Sequence, residues 1–139
     1  MTSQNLTGVL DTSALIDLGQ LEPSSLPAIA SITVITLAEL SVGPHLARSD
    51  SERAARQAHL QQAEADFEPI PFDAAAARAF GRVASALRAS RRKPAARAYD
   101  ALIAATALSR DLPVYTANAR DFDGIDGLMV HTVRYVAES

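Results

Sequence analysis

Short apolar runs alternate with segments of helical periodicity along this chain. Apolar runs of strand length at residues 7–10, 31–34, 112–116 and 128–133 predict buried β-strands. Apolar positions at helical spacing predict helices over residues 14–18, 23–30, 51–67, 73–88 and 98–108. Alternation of strands and helices is typical of an α/β fold with a mainly parallel sheet. We therefore predict one domain over residues 1–139, with a central sheet flanked by helices.

Capping and breaking residues set the boundaries of these elements. Thr12 and Ser13 are predicted to cap the first helix, which Gly19 ends. Thr36 is predicted to cap a further helix that carries Glu39 and ends at a Gly-Pro pair. Residues 68–72 contain two prolines, which predicts a brief extended segment unsuited to a central strand.

Composition narrows the class of protein. A chain of 139 residues with 48% hydrophobic and 21% charged residues is ordinary for one soluble globular domain. It has no cysteine, so disulfides and thiolate metal sites are excluded, and a reducing cytoplasm is the expected location. The first residues lack the pattern of a signal peptide, and no run approaches the roughly 20 apolar residues that span a membrane.

The basic residues are unevenly distributed. A net charge of −3 means that the whole molecule does not attract nucleic acid electrostatically. However, Arg88, Arg91, Arg92, Lys93 and Arg97 fall within one short segment. Arginine favours bidentate contacts with phosphate, so this segment is a candidate for contact with an RNA backbone. A solvated helix end and turn is an equally good interpretation of the cluster.

Four acidic or amide residues stand where the predicted elements begin or end. Asp11 closes the first strand, Glu39 lies one turn into a helix, Asp100 lies in the first turn of another, and Asn118 follows the strand at residues 112–116. Ligands of parallel sheets gather beyond the carboxyl ends of the strands, so the four are expected at one rim. Clustered carboxylates are costly unless a cation neutralises them, and Mg²⁺ prefers oxygen ligands. This pattern predicts a metal-dependent enzyme that acts on phosphate.

Each of these residues taken alone has a simpler interpretation. Asp11 is also a candidate helix cap, Glu39 a paired surface residue, Asp100 an acid favoured by the helix dipole, and Asn118 a turn residue. Their coincidence at one rim favours a site. Asp121 stands close enough to Asn118 to join it, directly or through water. The histidines lack zinc-ligand spacing, and neither a Gly-x-Ser-x-Gly elbow nor a glycine-rich phosphate loop occurs.

Four motifs occur in the order found in a known family. Leu-Asp-Thr-Ser-Ala-Leu-Ile, Leu-Ala-Glu-Leu, Asp-Ala-Leu-Ile-Ala-Ala-Thr-Ala and Tyr-Thr-Ala-Asn-Ala-Arg-Asp-Phe resemble the successive signatures of PIN domains. Length and order resemble the VapC toxins of bacterial toxin–antitoxin pairs, over almost the whole chain. The resemblance implies a PIN-like α/β fold, ribonuclease activity dependent on Mg²⁺ or Mn²⁺, a homodimer, and neutralisation by a small VapB-like antitoxin.

The resemblance also assigns roles to individual residues. Asp11, Glu39 and Asp100 match the three invariant acids of the family, and are predicted to be catalytic and to bind metal. Asn118 stands where many PIN domains have aspartate, so Asn118 and Asp121 are both catalytic candidates, and one or two metal ions remain possible. Thr12 and Thr116 match hydroxyl positions that orient acids or substrate. The predicted substrate-binding residues are Thr12, Ser13, Thr116, Arg91 and Arg92.

The predicted chemistry is hydrolysis of a phosphodiester bond. A metal held by Asp11 and Asp100 would activate the phosphate and a water, and Glu39 would orient or deprotonate that water or hold a second ion. The products would carry a 5′-phosphate and a 3′-hydroxyl, and single-stranded RNA is the expected substrate. The alternative is a catalytically degraded PIN-like module that binds RNA or protein. A phosphoacceptor receiver domain is rejected because the only lysine lies in a basic loop.

Overall fold

Four parallel strands form the centre of the structure, a computed structural model that describes residues 6–90 and 97–137. The sheet has the order β2-β1-β3-β4, and every pairing is parallel. The strands are β1 (Thr7–Leu10), β2 (Ile29–Ser31), β3 (Val114–Thr116) and β4 (Val130–Thr132). Because β1 and β3 are adjacent, Asp11 and the residues after Thr116 emerge side by side at the carboxyl edge. The predicted α/β fold with a parallel sheet is confirmed.

Within the described residues, five α-helices cover the sheet and join its strands. They are α1 (Thr12–Ile16), α2 (Val34–Val42), α3 (Asp50–Asp66), α4 (Ala74–Ala89) and α5 (Ala98–Ser109). Short 3-10 segments occupy Leu18–Gln20, Pro23–Ser25, Gly43–Leu46 and Ala119–Phe122. Helices α3, α4 and α5 agree with the predicted helices to within two residues at either end. In the described part of the chain, no helix is both long enough and apolar enough to cross a membrane.

Polar side chains determine where four of the helices begin. Asp73 caps α4 as predicted, accepting a hydrogen bond from the backbone N–H of Ala76 at 3.0 Å. Ser49 caps α3 in the same way. Two predicted caps are wrong: α1 is capped by Asp11 instead of Thr12 and Ser13, and α2 by Thr33 instead of Thr36. Both α1 and α2 therefore start earlier than predicted. A cap lies just before the first helical residue and accepts a hydrogen bond from an N–H group of the first turn, so an earlier cap gives an earlier start.

Residues 23–31 differ most from the prediction. The predicted helix over residues 23–30 is only a 3-10 turn at Pro23–Ser25, and residues 29–31 form strand β2. The strand predicted at residues 31–34 is therefore displaced toward the N-terminus, since Val34 already begins α2. Strand pairing accounts for this difference, because residues 29–31 align with residues 7–9 of β1. The segment at residues 68–72 is extended as predicted, with one isolated parallel bridge between Thr33 and Ile70.

Two apolar clusters lie on opposite faces of the sheet. Alternate residues of a strand point to opposite faces, so Val9 joins one cluster and Leu10 the other. The first cluster packs α4 and α5 against the sheet, with Ile103 fully buried. The second packs α1, α2 and α3, with Ile32 fully buried. The two layers place the start of α1 and the first turns of α2 and α5 around the carboxyl edge of β1.

Candidate active site

Asp11 lies at the end of β1 and is only 4% exposed. Its Oδ1 accepts hydrogen bonds from the Ser13 hydroxyl at 2.8 Å and from the Ala14 N–H at 2.9 Å. Its Oδ2 accepts a 2.5 Å hydrogen bond from the Thr116 hydroxyl at the end of β3. Asp11 is therefore both the cap of α1 and a carboxylate held rigidly at the carboxyl edge of the sheet. The interpretation of Asp11 as a helix cap is confirmed, and its role in a metal site stays a prediction.

Ser13 and Thr116 link the ends of the two central strands. The Ser13 hydroxyl donates to Asp11 and accepts from the Ala117 N–H at 3.2 Å. The Thr116 hydroxyl donates to Asp11 and accepts from the Asn118 N–H at 2.9 Å. Both hydroxyls are thus engaged within the protein, which favours a role in orienting Asp11. Their predicted contact with substrate stays a prediction.

Glu39 is brought to the same edge by a chain of hydroxyl groups. The Thr12 hydroxyl donates a 2.5 Å hydrogen bond to Glu39 Oε1 and lies 3.0 Å from the Thr36 hydroxyl. Because Thr12 has one hydroxyl proton, Thr36 is the donor in the second bond. Thr12 follows Asp11 directly, so this chain fixes Glu39 beside it. The sequence pattern predicts a capping role for Thr36; in the structure its buried hydroxyl supports Thr12 instead.

Arg97 connects the remaining two acids. Its Nη1 donates a 2.5 Å hydrogen bond to Asp121 Oδ1 and lies 3.9 Å from Asp100 Oδ2. Asp121 belongs to the 3-10 segment that follows Asn118, and its side chain is 19% exposed. In the sequence, Arg97 belongs only to the basic cluster. The signal that identifies it as a site residue is its position three residues before Asp100, one helical turn away.

The pKa values show that the acids interact. Burial, followed by the charges of Asp121, Asp11 and Glu39, raises the pKa of Asp100 to about 6, although Arg97 acts to lower it. Burial also raises the pKa of Asp11, against hydrogen bonds led by that from Thr116. Burial raises the pKa of Glu39, and its hydrogen bond from Thr12 opposes this. The structure therefore gathers Asp11, Glu39, Asp100 and Asp121 into one electrostatic cluster.

Two groups of predicted residues contribute less to this cluster. Asn118 caps the 3-10 segment at Ala119–Phe122 and makes no side-chain capping bond. It thus stands next to the acids without a charge of its own. Arg91 and Arg92 were predicted to bind substrate, and both lie outside the described residues.

The donor chemistry of the cluster fits a hard divalent cation. All candidate ligands are carboxylate oxygens, and their mutual repulsion would be relieved by positive charge. No three His, Asp or Glu side chains within residues 6–90 and 97–137 are grouped so as to hold an ion on their own. Mg²⁺ normally retains several waters and takes one or two carboxylates from a protein. Asp11 and Asp100 would suffice for such an ion.

Comparisons with known proteins agree with this fold. The PIN domain profile matches residues 8–128, so the chain belongs to the PIN-domain family. Within that family it is similar to "Ribonuclease VapC5" of Mycobacterium tuberculosis, 42% identical over 130 residues, which are 91% of this chain and 93% of the relative. "Ribonuclease VapC1" of Rickettsia felis is 29% identical over 90% of this chain and 95% of its own length.

A solved structure gives the same result. The crystal structure of VapBC-5, a member of the VapBC family of toxin–antitoxin systems from Mycobacterium tuberculosis, matches with a TM-score of 0.78 at 40% identity. The match covers 94% of this chain and 99% of that one. The expected resemblance to PIN domains of the VapC type is confirmed.

Proposed function

We propose that this chain is a divalent-metal-dependent endoribonuclease and the toxin of a type II toxin–antitoxin pair. The observation that carries the proposal is the electrostatic cluster of Asp11, Glu39, Asp100 and Asp121 at the carboxyl edge of the sheet. The similarity of the chain to two VapC ribonucleases supports RNA as the substrate class. The sequence motifs and the geometry therefore support the same chemistry independently.

The residues of the site divide the work of hydrolysis between them. Asp11 and Asp100 would hold Mg²⁺ or Mn²⁺, which when bound polarises a phosphate and lowers the pKa of a water. Glu39 would accept the proton of the attacking water, a role that a positioned carboxylate at the edge of the site can take. Thr12 holds the Glu39 carboxylate in place, and Ser13 and Thr116 hold that of Asp11. Preorganised carboxylates then need little rearrangement during the reaction.

Attack in line with the leaving 3′-oxygen fixes the products that we expect. Cleavage of single-stranded RNA should leave a 5′-phosphate on one fragment and a 3′-hydroxyl on the other, which sequencing of ligated ends detects. Glu39→Gln should slow cleavage by about 10²–10⁴-fold, the usual contribution of a general base. Glu64→Gln on the exposed face of α3 is the matched control and should cleave at the parental rate. Products with a 2′,3′-cyclic phosphate would contradict the mechanism.

A catalytically degraded module that binds RNA or protein is the second candidate function. The uncharged Asn118 and the absence of a ready three-acid group among the described residues favour it. Sequencing of the RNA ends after incubation separates the two candidate functions, because a degraded module would generate no new 5′-phosphates.

The proposed partner is a VapB-like antitoxin that binds a groove beside the site. A groove of about 200 Å³ runs between α1, α2 and α3 and is lined by Leu15, Ile16, Leu18, Gly19, Leu40, His59, Gln62, Ala63, Asp66 and Phe67. The groove is formed by elements that also carry two of the acids, because α1 begins next to Asp11 and α2 carries both Leu40 and Glu39. An extended or helical antitoxin segment with apolar side chains fits the groove, and a basic side chain of that segment would reach the acids. We also expect a homodimer of this chain.

A pair of surface variants tests the groove. Ile16 lies in the groove and is 45% exposed, whereas Val42 is 40% exposed and does not line the groove. Ile16→Glu should weaken binding of the co-expressed antitoxin by at least about tenfold, because it places a charge in an apolar contact. Val42→Glu should bind within about twofold of the parent. Calorimetry measures the affinity of each variant for the antitoxin, and size exclusion measures the oligomeric state. If both variants bind the antitoxin equally weakly, this groove is excluded as the binding site.

A further inference from the structure

Arg97 stands at a position where helix α5 does not favour an arginine. It occupies the residue that precedes the helix, and its side chain makes no capping hydrogen bond. Helices prefer a side-chain oxygen there, and the partial positive charge of the helix N-terminus disfavours a cation. The guanidinium therefore has its stabilising partners elsewhere, in the acidic cluster.

One nitrogen atom of Arg97 is shared between two acids. Nη1 contacts Asp121 at 2.5 Å and Asp100 at 3.9 Å, so the charge lies between the two carboxylates. The Asp121 side chain is less exposed than that of Asp100, 19% against 27%, and it receives the direct hydrogen bond. Charge-assisted contacts of this length are among the stronger hydrogen bonds in proteins. Arg97 thus partly neutralises the cluster in the metal-free protein.

A divalent cation and a guanidinium compete for such a cluster. Both carry positive charge, so each repels the other when they share carboxylates a few ångströms apart. Asn118 brings no charge to the fourth family position, and Asp121 is the acid beyond the three matched positions whose charge acts on Asp100. Asp121 is the acid that Arg97 holds most closely. A metal that uses Asp121, directly or through water, meets the positive charge of Arg97 at close range, which favours release of that contact.

We propose that Arg97 is a built-in counter-cation which metal displaces from Asp121, so that this positioning residue lowers the affinity of the site for metal. The inference rests on the proposed metal-dependent function. The inference predicts that substitution of Arg97 strengthens metal binding. If Arg97 only supported the fold, its substitution would weaken metal binding or leave it unchanged.

Calorimetric titration of the RNA-free protein with Mn²⁺ tests the proposal. Arg97→Gln is expected to bind Mn²⁺ about 5–10-fold more tightly than the parent, and Asp121→Asn less tightly. In the Asp121→Asn background, Arg97→Gln should give a clearly smaller gain than in the parent, because only the more distant contact of Arg97 with Asp100 remains. Arg110→Gln at the other end of α5 removes the same charge, away from the acidic cluster, and should change affinity less than twofold.

A thermal measurement covers the case in which Arg97→Gln folds poorly without metal. Arg97→Lys keeps the charge but not the planar fork, so it should hold Asp121 less tightly and show a larger Mn²⁺-induced rise in Tm than the parent. Unchanged or weaker Mn²⁺ binding by both variants overturns the inference. If the parent still requires Mn²⁺ to cleave RNA in that case, the proposed function stands. A parent that binds no Mn²⁺ overturns both.

Discussion

Asparagine in place of Asp100 is expected to slow RNA cleavage by at least about 10³-fold and to raise the Tm of the metal-free protein. The substitution keeps the size of the side chain but removes the charge that would hold the metal, and electrostatic contributions of this kind are large in buried sites. The same charge is unfavourable in the absence of metal. Burial, followed by the charges of Asp121, Asp11 and Glu39, raises the pKa of Asp100 to about 6.

The raised pKa sets the sign of the effect on stability. The ordinary pKa of this carboxyl is 3.8, so the folded protein holds the proton more tightly than the unfolded chain does. Stability contributed by the protonated form is therefore complete below about pH 4 and is lost as the pH rises through about 6. Near pH 7 the ionised Asp100 destabilises the fold, and the Asp100→Asn variant should recover on the order of 1 kcal/mol, or roughly 2–8 °C in Tm.

Two measurements check this prediction with an internal control. Thermal unfolding in EDTA should show a gain for Asp100→Asn that grows from pH 4 to pH 7, while Asp126→Asn at an exposed turn should show none. RNA cleavage with Mn²⁺ should be lost in the first variant and retained in the second. Cleavage at the parental rate by Asp100→Asn would exclude Asp100 as a metal ligand.

Removal of divalent metal is expected to abolish RNA cleavage completely. The clustered acids repel one another and an RNA phosphate alike, so substrate cannot approach them productively without a neutralising ion. Addition of EDTA should reduce cleavage to the background rate, and excess Mg²⁺ or Mn²⁺ should restore it. Bound metal should also raise Tm, because it binds the folded state only.

The metal prediction needs a control for contaminating ribonucleases. Protein carrying Asp11→Asn, purified in the same way, should show no cleavage with or without metal. Cleavage by the parent that persists in EDTA and is absent from this variant would mean that hydrolysis needs no metal. That outcome would contradict the mechanism while leaving Asp11 in the site.

Local sequence patterns were sufficient for most of the framework. The strand at residues 7–10 and helices α3, α4 and α5 agree closely with the prediction, since apolar periodicity, an Asp73 cap and a continuous apolar run are strong local signals. Residues 23–31 were mispredicted because their local pattern fits either a helix or a strand. Pairing with β1 decided that residues 29–31 form a strand, and no local signal carries that information.

The sequence by itself determined which acids stand at the ends of elements, and the order of its motifs indicated the PIN-domain family. Only the tertiary structure decided how these side chains are connected. Thr12 reaches Glu39 across 27 residues of sequence, Arg97 reaches Asp121 across 24, and Thr116 reaches Asp11 across 105. Such contacts depend on how the helices dock on the two faces of the sheet, which is set by apolar packing that is not local in sequence. For that reason Arg97 was recognised in the sequence as a basic residue, and its place between two acids became visible only in the fold.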